Sequence, residues 1–447
     1  MIIDCYSGAH CSTEPKAVVA YEAAVSSVLS HRPAAGPALI QALSFDPDMT
    51  AALALKGFAG VLLAKSETIG AARQDLQLAR QALEKRGGSE SERALVVALE
   101  LAAGGRILDA AAGLDQHLGD HPRDLLALKL AHGLRFMGGD AEGMLAATSR
   151  VLPEWSSSLP GYGFLLGCHA FGLEETGRLS EAERMGRAAV ELEPTDAWGL
   201  HAVGHVYEMQ GKLDCGIELL ERTRAAWSQC NNFSFHMAWH LALFHLGKDE
   251  PGRALDIYDR EIRPIQTDDF RDIANAVSML WRLGQDGVAV GERWAELAAI
   301  ARERRTDTSL VFASLHHLLS LVAAGDLSSA QSLVAEIAGK AARGDGDQSR
   351  VAKTVGLELA EAILSLATGS KAEMRLSELT RNLRLIGGSN AQRDVFMRTL
   401  AQIAAQIGAS SQVESILAAR RRQRSDDRFA RTAAYRLSVS REFRRVA

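Results

Sequence analysis

Eight glycines set the period of this 447-residue chain. Gly105, Gly139, Gly177, Gly211 and Gly247 are separated by 34, 38, 34 and 36 residues, and Gly284, Gly325 and Gly369 follow after a further 37, 41 and 44. Between them run paired stretches with apolar residues at helical spacing. Two amphipathic helices per unit, closed by a glycine at this interval, are the pattern of a tetratricopeptide-like solenoid. The chain is therefore expected to be all-α, an α-α superhelix of stacked helical hairpins. In the clearest unit, GYGFLLGCHAFGLEETGRLSEAERMGRAAVELEP, Gly167, Ala182 and Ala189 stand where the helices must approach. Gly177 makes the turn and Pro194 ends the second helix.

Composition agrees with that reading. Ala and Leu dominate, only 10 Pro occur, and no β-branched run alternates with polar residues. Because each hairpin buries its apolar faces against its neighbours, residues 1–447 are read as one helical-repeat domain. Within it, 1–15 form an irregular lead-in, 16–419 the repeats, and 420–447 an Arg-rich capping helix and tail. From Ala419 onward that last segment holds ten Arg against Asp426, Asp427 and Glu442. Its simplest reading is a solvated cap; a contact with an acidic partner surface or a second subunit is the other. A net charge of −5 gives no drive toward nucleic acid.

Cys5, Cys11, Cys168, Cys215 and Cys230 form no disulfide framework, which implies reduced thiols and a cytoplasmic setting. The spacing of Cys5 and Cys11 around His10 fits no zinc pattern. The N-terminus lacks a basic region followed by an apolar core, and no apolar run reaches about 18 residues. No secretory signal and no membrane span are therefore expected. A monomer or homodimer is consistent with this composition. Asp124 and Asp196, each two residues after a proline, read as helix N-caps.

The chemistry-bearing residues gather between Asp196 and His240. His201, His205 and Glu208 are spaced i, i+4, i+7 and so share one helix face. With Gly211 as the fifteenth residue of its unit, those three fall at groove-facing positions. Leu200, Val203, Gly204 and Tyr207 occupy the packing positions. His236 and His240, four apart with Trp239 between them, lie on the first (A) helix of the next hairpin, where the shortened turn HLGKDEPG leaves two registers: either His236 or Trp239 comes near the groove, with His240 adjacent. The two helices after that offer Asp272, Asn275 and His316 at similar height. His132 and His169 fall at core positions and read as interior histidines.

Histidines at i and i+4 can share a metal ion if a further ligand arrives from elsewhere. His201 to Glu208 spans about 10 Å of helix, too far for one ion, so a metal site would draw on both helices. The candidate set for a divalent cation is His201, His205, Glu208, His236 and His240. Three readings stay open: acid/base or small-molecule chemistry, a metal centre, and a rigid histidine network in an ordinary peptide-binding groove. No P-loop, dinucleotide fingerprint or nucleophile motif is present.

The segments DAWGLHAVGHVYEMQG, FHMAWHLALFHLG and LPGYGFLLGCHAFGLEETGR resemble the tetratricopeptide repeat protein 38 family, which includes the bacterial StaR-like proteins. The likeness runs nearly the length of the chain. It implies a helical-repeat fold and a His-rich centre, with a tailoring role in natural-product chemistry suggested for some relatives. Motif by motif it carries over Trp198, His201, His205, Glu208, Trp239 and His240, together with His236. Ala238 stands where the family has a second Trp, and the turn before Ala254 is short, so the pocket rim departs from the family pattern. The expected function is an enzyme of unknown reaction acting on a small molecule. His201, His205, Glu208 and His240 are its candidate catalytic residues, and Trp198, His236, Trp239, Asp272 and His316 the candidate substrate contacts. A non-catalytic scaffold for a peptide or protein partner is the alternative.

Overall fold

A computed structural model describes residues 2–369, 375–424 and 427–432. Among these residues are 24 α-helices, and the only sheet is an antiparallel pair of two-residue strands, Ile2–Ile3 with Ala9–His10, inside the lead-in. The fold is all-α, built of successive helical hairpins. No described helix is long and apolar enough to cross a membrane. Residues 425–426 and 433–447 of the expected cap and tail lie outside the described residues.

Local signals explain where the helices start. Ser89 and Glu92 form a reciprocal capping box, and the Asp124 side chain accepts the Ala127 amide. The helix ends explain the period. Gly105, Gly139, Gly177, Gly211, Gly325 and Gly369 all take positive φ, the left-handed conformation that closes a helix at least cost without a Cβ. Gly247 and Gly284 do not: there the turn is made by Asp249 (φ 65°) and Gly287 (φ 84°). Counted at the residue that actually turns, the steps after Gly211 are 38, 38, 38 and 44. At Gly247 and Gly284 the left-handed turn falls two and three residues beyond the glycine, which evens those steps, while the last step of 44 remains.

The chain divides into two compact units. The first comprises Met1–Val203 with Thr223–Ser234 and Asp345–Asp347. Its hairpins pair Pro15–Leu29 with Ala35–Phe45, Thr50–Leu62 with Ser66–Arg86, and Tyr162–Glu175 with Leu179–Leu192. The loops are too short for anything but antiparallel packing. Tyr21, Phe58, Leu99 and Leu114 are buried in its core.

The second unit comprises Gly204–Arg222, Phe235–Gly344 and Gln348–Ala447. There the helix Phe270–Gln285 packs on Val311–Ala323 and on Asn390–Gln406, and Asn390–Gln406 pairs with Ser410–Gln423. Trp239, Phe244, Leu283, Leu315 and Phe396 are fully buried within it.

Candidate functional site

The helix Ala197–Gln210 is fixed at its first turn. Asp196 accepts the amides of Trp198 and Gly199 at 3.2 and 3.1 Å, capping two of the orphan donors. Burial, against those hydrogen bonds and Lys129, pushes its carboxyl up to about 7. The preceding hairpin lies so close that a Cβ on Gly167 would overlap the Asp196 carboxylate, so glycine is required there.

The first half of this helix belongs to the first unit. Trp198 donates its indole N–H to His132 Nε2 at 3.2 Å and packs against Phe171 and Phe136, with Lys129 5.0 Å from its ring centre. Burial lowers His132 to about 3, so the ring is a neutral acceptor. His201 stacks on Phe171 at 5.4 Å and meets Trp198 and Phe233. Within the first unit, Trp198 and His201 therefore sit in one aromatic cluster with His31 and Phe233.

The second half carries His205 and Glu208 into the second unit, where the next inward helix, Phe233–Gly247, supplies His236 and His240. Three ring nitrogens converge. His240 Nε2 lies 3.1 Å from His205 Nε2 and 3.2 Å from His236 Nε2, and His205 and His240 are 0% and 1% exposed. The other side of two of these rings is held. His240 Nδ1 meets Glu208 Oε2 at 3.1 Å, and His236 Nδ1 meets Asn275 Oδ1 at 2.9 Å. A carboxylate and an amide oxygen can only accept, so both Nδ1 atoms carry the proton and both Nε2 atoms present lone pairs.

Glu208 is ionised. Burial raises its pKa, but Arg424, with Nη1 2.7 Å from Oε1, and the hydrogen bond from His240 outweigh that and hold it well below the usual carboxylate range. His236 is pushed the other way: burial, then its neighbour His240, hold it well below an ordinary histidine. Trp239 is fully buried, stacked on His236 at 5.2 Å and donating to Ser278 Oγ at 2.9 Å. The ring holds the orientation of its neighbour.

The remaining expected residues lie elsewhere in the second unit. Asp272 accepts the Thr267 hydroxyl at 2.6 Å, whereas Asn275, three residues on, is the one that reaches His236. His316 bonds the Phe312 carbonyl at 2.8 Å, packs on Phe396 and is lowered to about 3 by burial.

The Arg-rich segment requires a correction. Arg420 and Arg424 are not solvated. Arg420 bonds Asp394 and Asp427 with its side chain 4% exposed, and Arg424 holds Glu208. Arg398 and Arg428 both pair with Asp286, at 2.7 and 2.8 Å. Buried Arg282, lowered to about 9 by its burial, lies 3.5 Å from Asp394 and over Trp239. Positions 420, 424 and 428, spaced by four, meet carboxylates supplied by distant helices, and that pairing is what makes their burial tolerable. The sequence identifies the arginines but not these partners, which lie up to 216 residues away.

No family model matches the chain. Among solved structures it is similar to the tetratricopeptide domain of P58(IPK), at 14% identity and a TM-score of 0.21, over 80% of this chain and 91% of that one. It is also similar to the Naa15/Naa10 structure with HypK-THB, at 13% identity and a TM-score of 0.24. That match covers 94% of this chain and 65% of the other, so the chain spans just under two thirds of that relative's length. At such scores these likenesses add nothing to the site, which rests on its own geometry.

Proposed function

We propose that His205, His236 and His240 hold a divalent cation of the zinc class, and that the protein is an enzyme using this centre for metal-assisted acid/base chemistry on a small molecule. The observation that carries the reading is the convergence of three Nε2 atoms, two with their Nδ1–H already committed to an acceptor. The Nε2 lone pairs of His236 and His240, 3.2 Å apart, repel unless a cation lies between them, and burial opposes supplying that cation as a proton. Three imidazoles around a tetrahedral ion at about 2.0–2.1 Å place their nitrogens roughly 3.3 Å apart. The 3.1 and 3.2 Å separations are close to that. Glu208 and Asn275 are the outer partners that fix the rings of metal-ligating histidines.

A divalent ion there supplies Lewis acidity toward a carbonyl or phosphoryl oxygen. The protein's own residues do the positioning. Glu208 orients His240, Asn275 and Trp239 orient His236, and Arg424 keeps Glu208 ionised. Three protein ligands leave one position for substrate or water, as catalytic sites do. The i, i+4 spacing makes His201 the next nitrogen to test. Trp198, Asp272 and His316 carry no step in this reading. The resemblance to the tetratricopeptide repeat protein 38 family supports it, since that family's His-rich centre matches these residues. A passive peptide scaffold gives no reason for the buried Nε2 atoms of His236 and His240 to face one another at 3.2 Å with both Nδ1–H groups committed elsewhere.

Elemental analysis of the protein purified without chelator should find about one zinc-class ion per chain. Exhaustive treatment with chelator should remove it, and one equivalent of zinc should restore it. Protein that carries no such metal and takes up none from micromolar zinc would contradict the reading.

A further inference from the structure

A second candidate site lies wholly within the first unit, along the helix Leu125–Gly138 and around Trp198. Lys129 is half-buried there, its ammonium 5.0 Å from the Trp198 ring centre and 3.4 Å from His31 Nε2. An ammonium carries three donors, and this one gives a single hydrogen bond, to a ring nitrogen. Among the described residues no carboxylate comes within ion-pair distance of it. Asp196, the carboxylate that feels its charge, is committed to the amides of Trp198 and Gly199.

Two residue choices beside this lysine go against backbone preference. His31 follows the helix Pro15–Leu29 at φ 56°, the left-handed position that glycine usually fills, and its carbonyl accepts the Asn231 amide at 2.7 Å. The ring that a glycine would lack stacks on Phe233 at 4.4 Å and on Trp198 at 5.7 Å. Gly133 stands in the interior of its helix, where glycine is unfavourable, on the face shared by Lys129 and Phe136. An added Cβ there would meet only Leu62 Cδ2, at 3.9 Å, so packing does not require this glycine as it does Gly167. The face therefore has a gap between a cation and an aromatic ring. His31, Phe136 and Phe233 are half-buried, so each still presents surface to solvent.

We propose that this part of the first unit binds a small aromatic carboxylate. Ligand sites combine apolar and aromatic walls with a few placed polar groups, and the half-buried rings supply the wall. Lys129 supplies the polar group. Its two remaining donors suit carboxylate oxygens, and hydrogen bonds between ionised partners are the strong ones. The Trp198 face holds the ammonium in place, and the same charge disfavours a cationic ligand. The site stands on residues of the first unit and does not depend on a metal at His205, His236 and His240.

The test is calorimetric titration of the chelator-treated full-length protein with 2-naphthoate, with uncharged 2-naphthamide and with non-aromatic cyclohexanecarboxylate. Chelation leaves no metal to hold the carboxylate. Saturable 1:1 binding of 2-naphthoate is expected, with both comparison compounds weaker by roughly ten-fold or more, since one lacks the charge-assisted bond and the other the stacking surface. Lys129→Met keeps an unbranched side chain and removes the charge, so it should weaken 2-naphthoate by a similar factor and leave 2-naphthamide unchanged. Gly133→Leu fills the gap with a good helix former and should weaken both aromatic compounds, which decides the matter if Lys129→Met does not fold. No saturable binding of 2-naphthoate at millimolar concentration, or equal affinity for either comparison compound, overturns the inference. Unaltered 2-naphthoate affinity in folded Lys129→Met or in Gly133→Leu does the same, because binding that survives belongs to other cations of the chain.

Discussion

Replacing Asp394 by alanine is expected to cost about 3–5 kcal/mol of folding stability, the usual result of deleting one partner of a buried ion pair. Asp394 bonds Arg420, and it lies 3.5 Å from Arg282 and 3.8 Å from Arg424. All four side chains are largely buried, so its removal leaves positive charges facing one another without water to screen them. Burial alone would raise the Asp394 pKa, but Arg420, Arg424 and Arg282 together lower it. A depressed folded-state pKa means that this stabilisation is present above the ordinary carboxylate range and is lost as pH falls through it. Urea denaturation of wild type and Asp394→Ala at neutral pH checks the size. A loss below about 1 kcal/mol would place the network with exposed ion pairs, which contribute little.

The second large effect concerns metal affinity. His240→Ala removes the central one of the three converging nitrogens and should abolish turnover and lower zinc affinity by more than ~100-fold, beyond the ~10–100-fold expected for losing an outer partner such as Glu208. Stability should separate the two states of the protein. A ligand at 1,000 times its Kd stabilises by about 4 kcal/mol, so chelation should lower the wild-type midpoint and leave that of His240→Ala unmoved. With no metal to lose, the variant is also relieved of the repulsion among lone pairs. Zinc content in folded His240→Ala equal to wild type would show that the histidines are not the ligands.

The repeat and the histidine pairs were legible because both are local. A positive-φ glycine at a helix end and histidines four residues apart are settled within one or two turns of chain. Gly247 shows the limit of the first signal, since the helix ends on it and Asp249, two residues on, takes the left-handed turn instead. Glu208 shows the limit of the second. Its place on the histidine face follows from helix geometry, but its partner Arg424 is 216 residues distant and could not be paired with it from spacing. Asp272 and Asn275 illustrate a finer ambiguity: both begin the same helix, and only the packed structure says which one reaches His236. The arginines of the last segment were visible, yet their burial depends on Asp286 and Asp394, which come from other helices.

The most direct measurement is a crystallographic one. Crystals of the zinc-loaded protein, measured on both sides of the zinc absorption edge, should give one anomalous peak about 2.0–2.1 Å from Nε2 of His205, His236 and His240. The peak should vanish in His240→Ala. An empty map among these three nitrogens, or an ion bound elsewhere on the chain, would contradict the account.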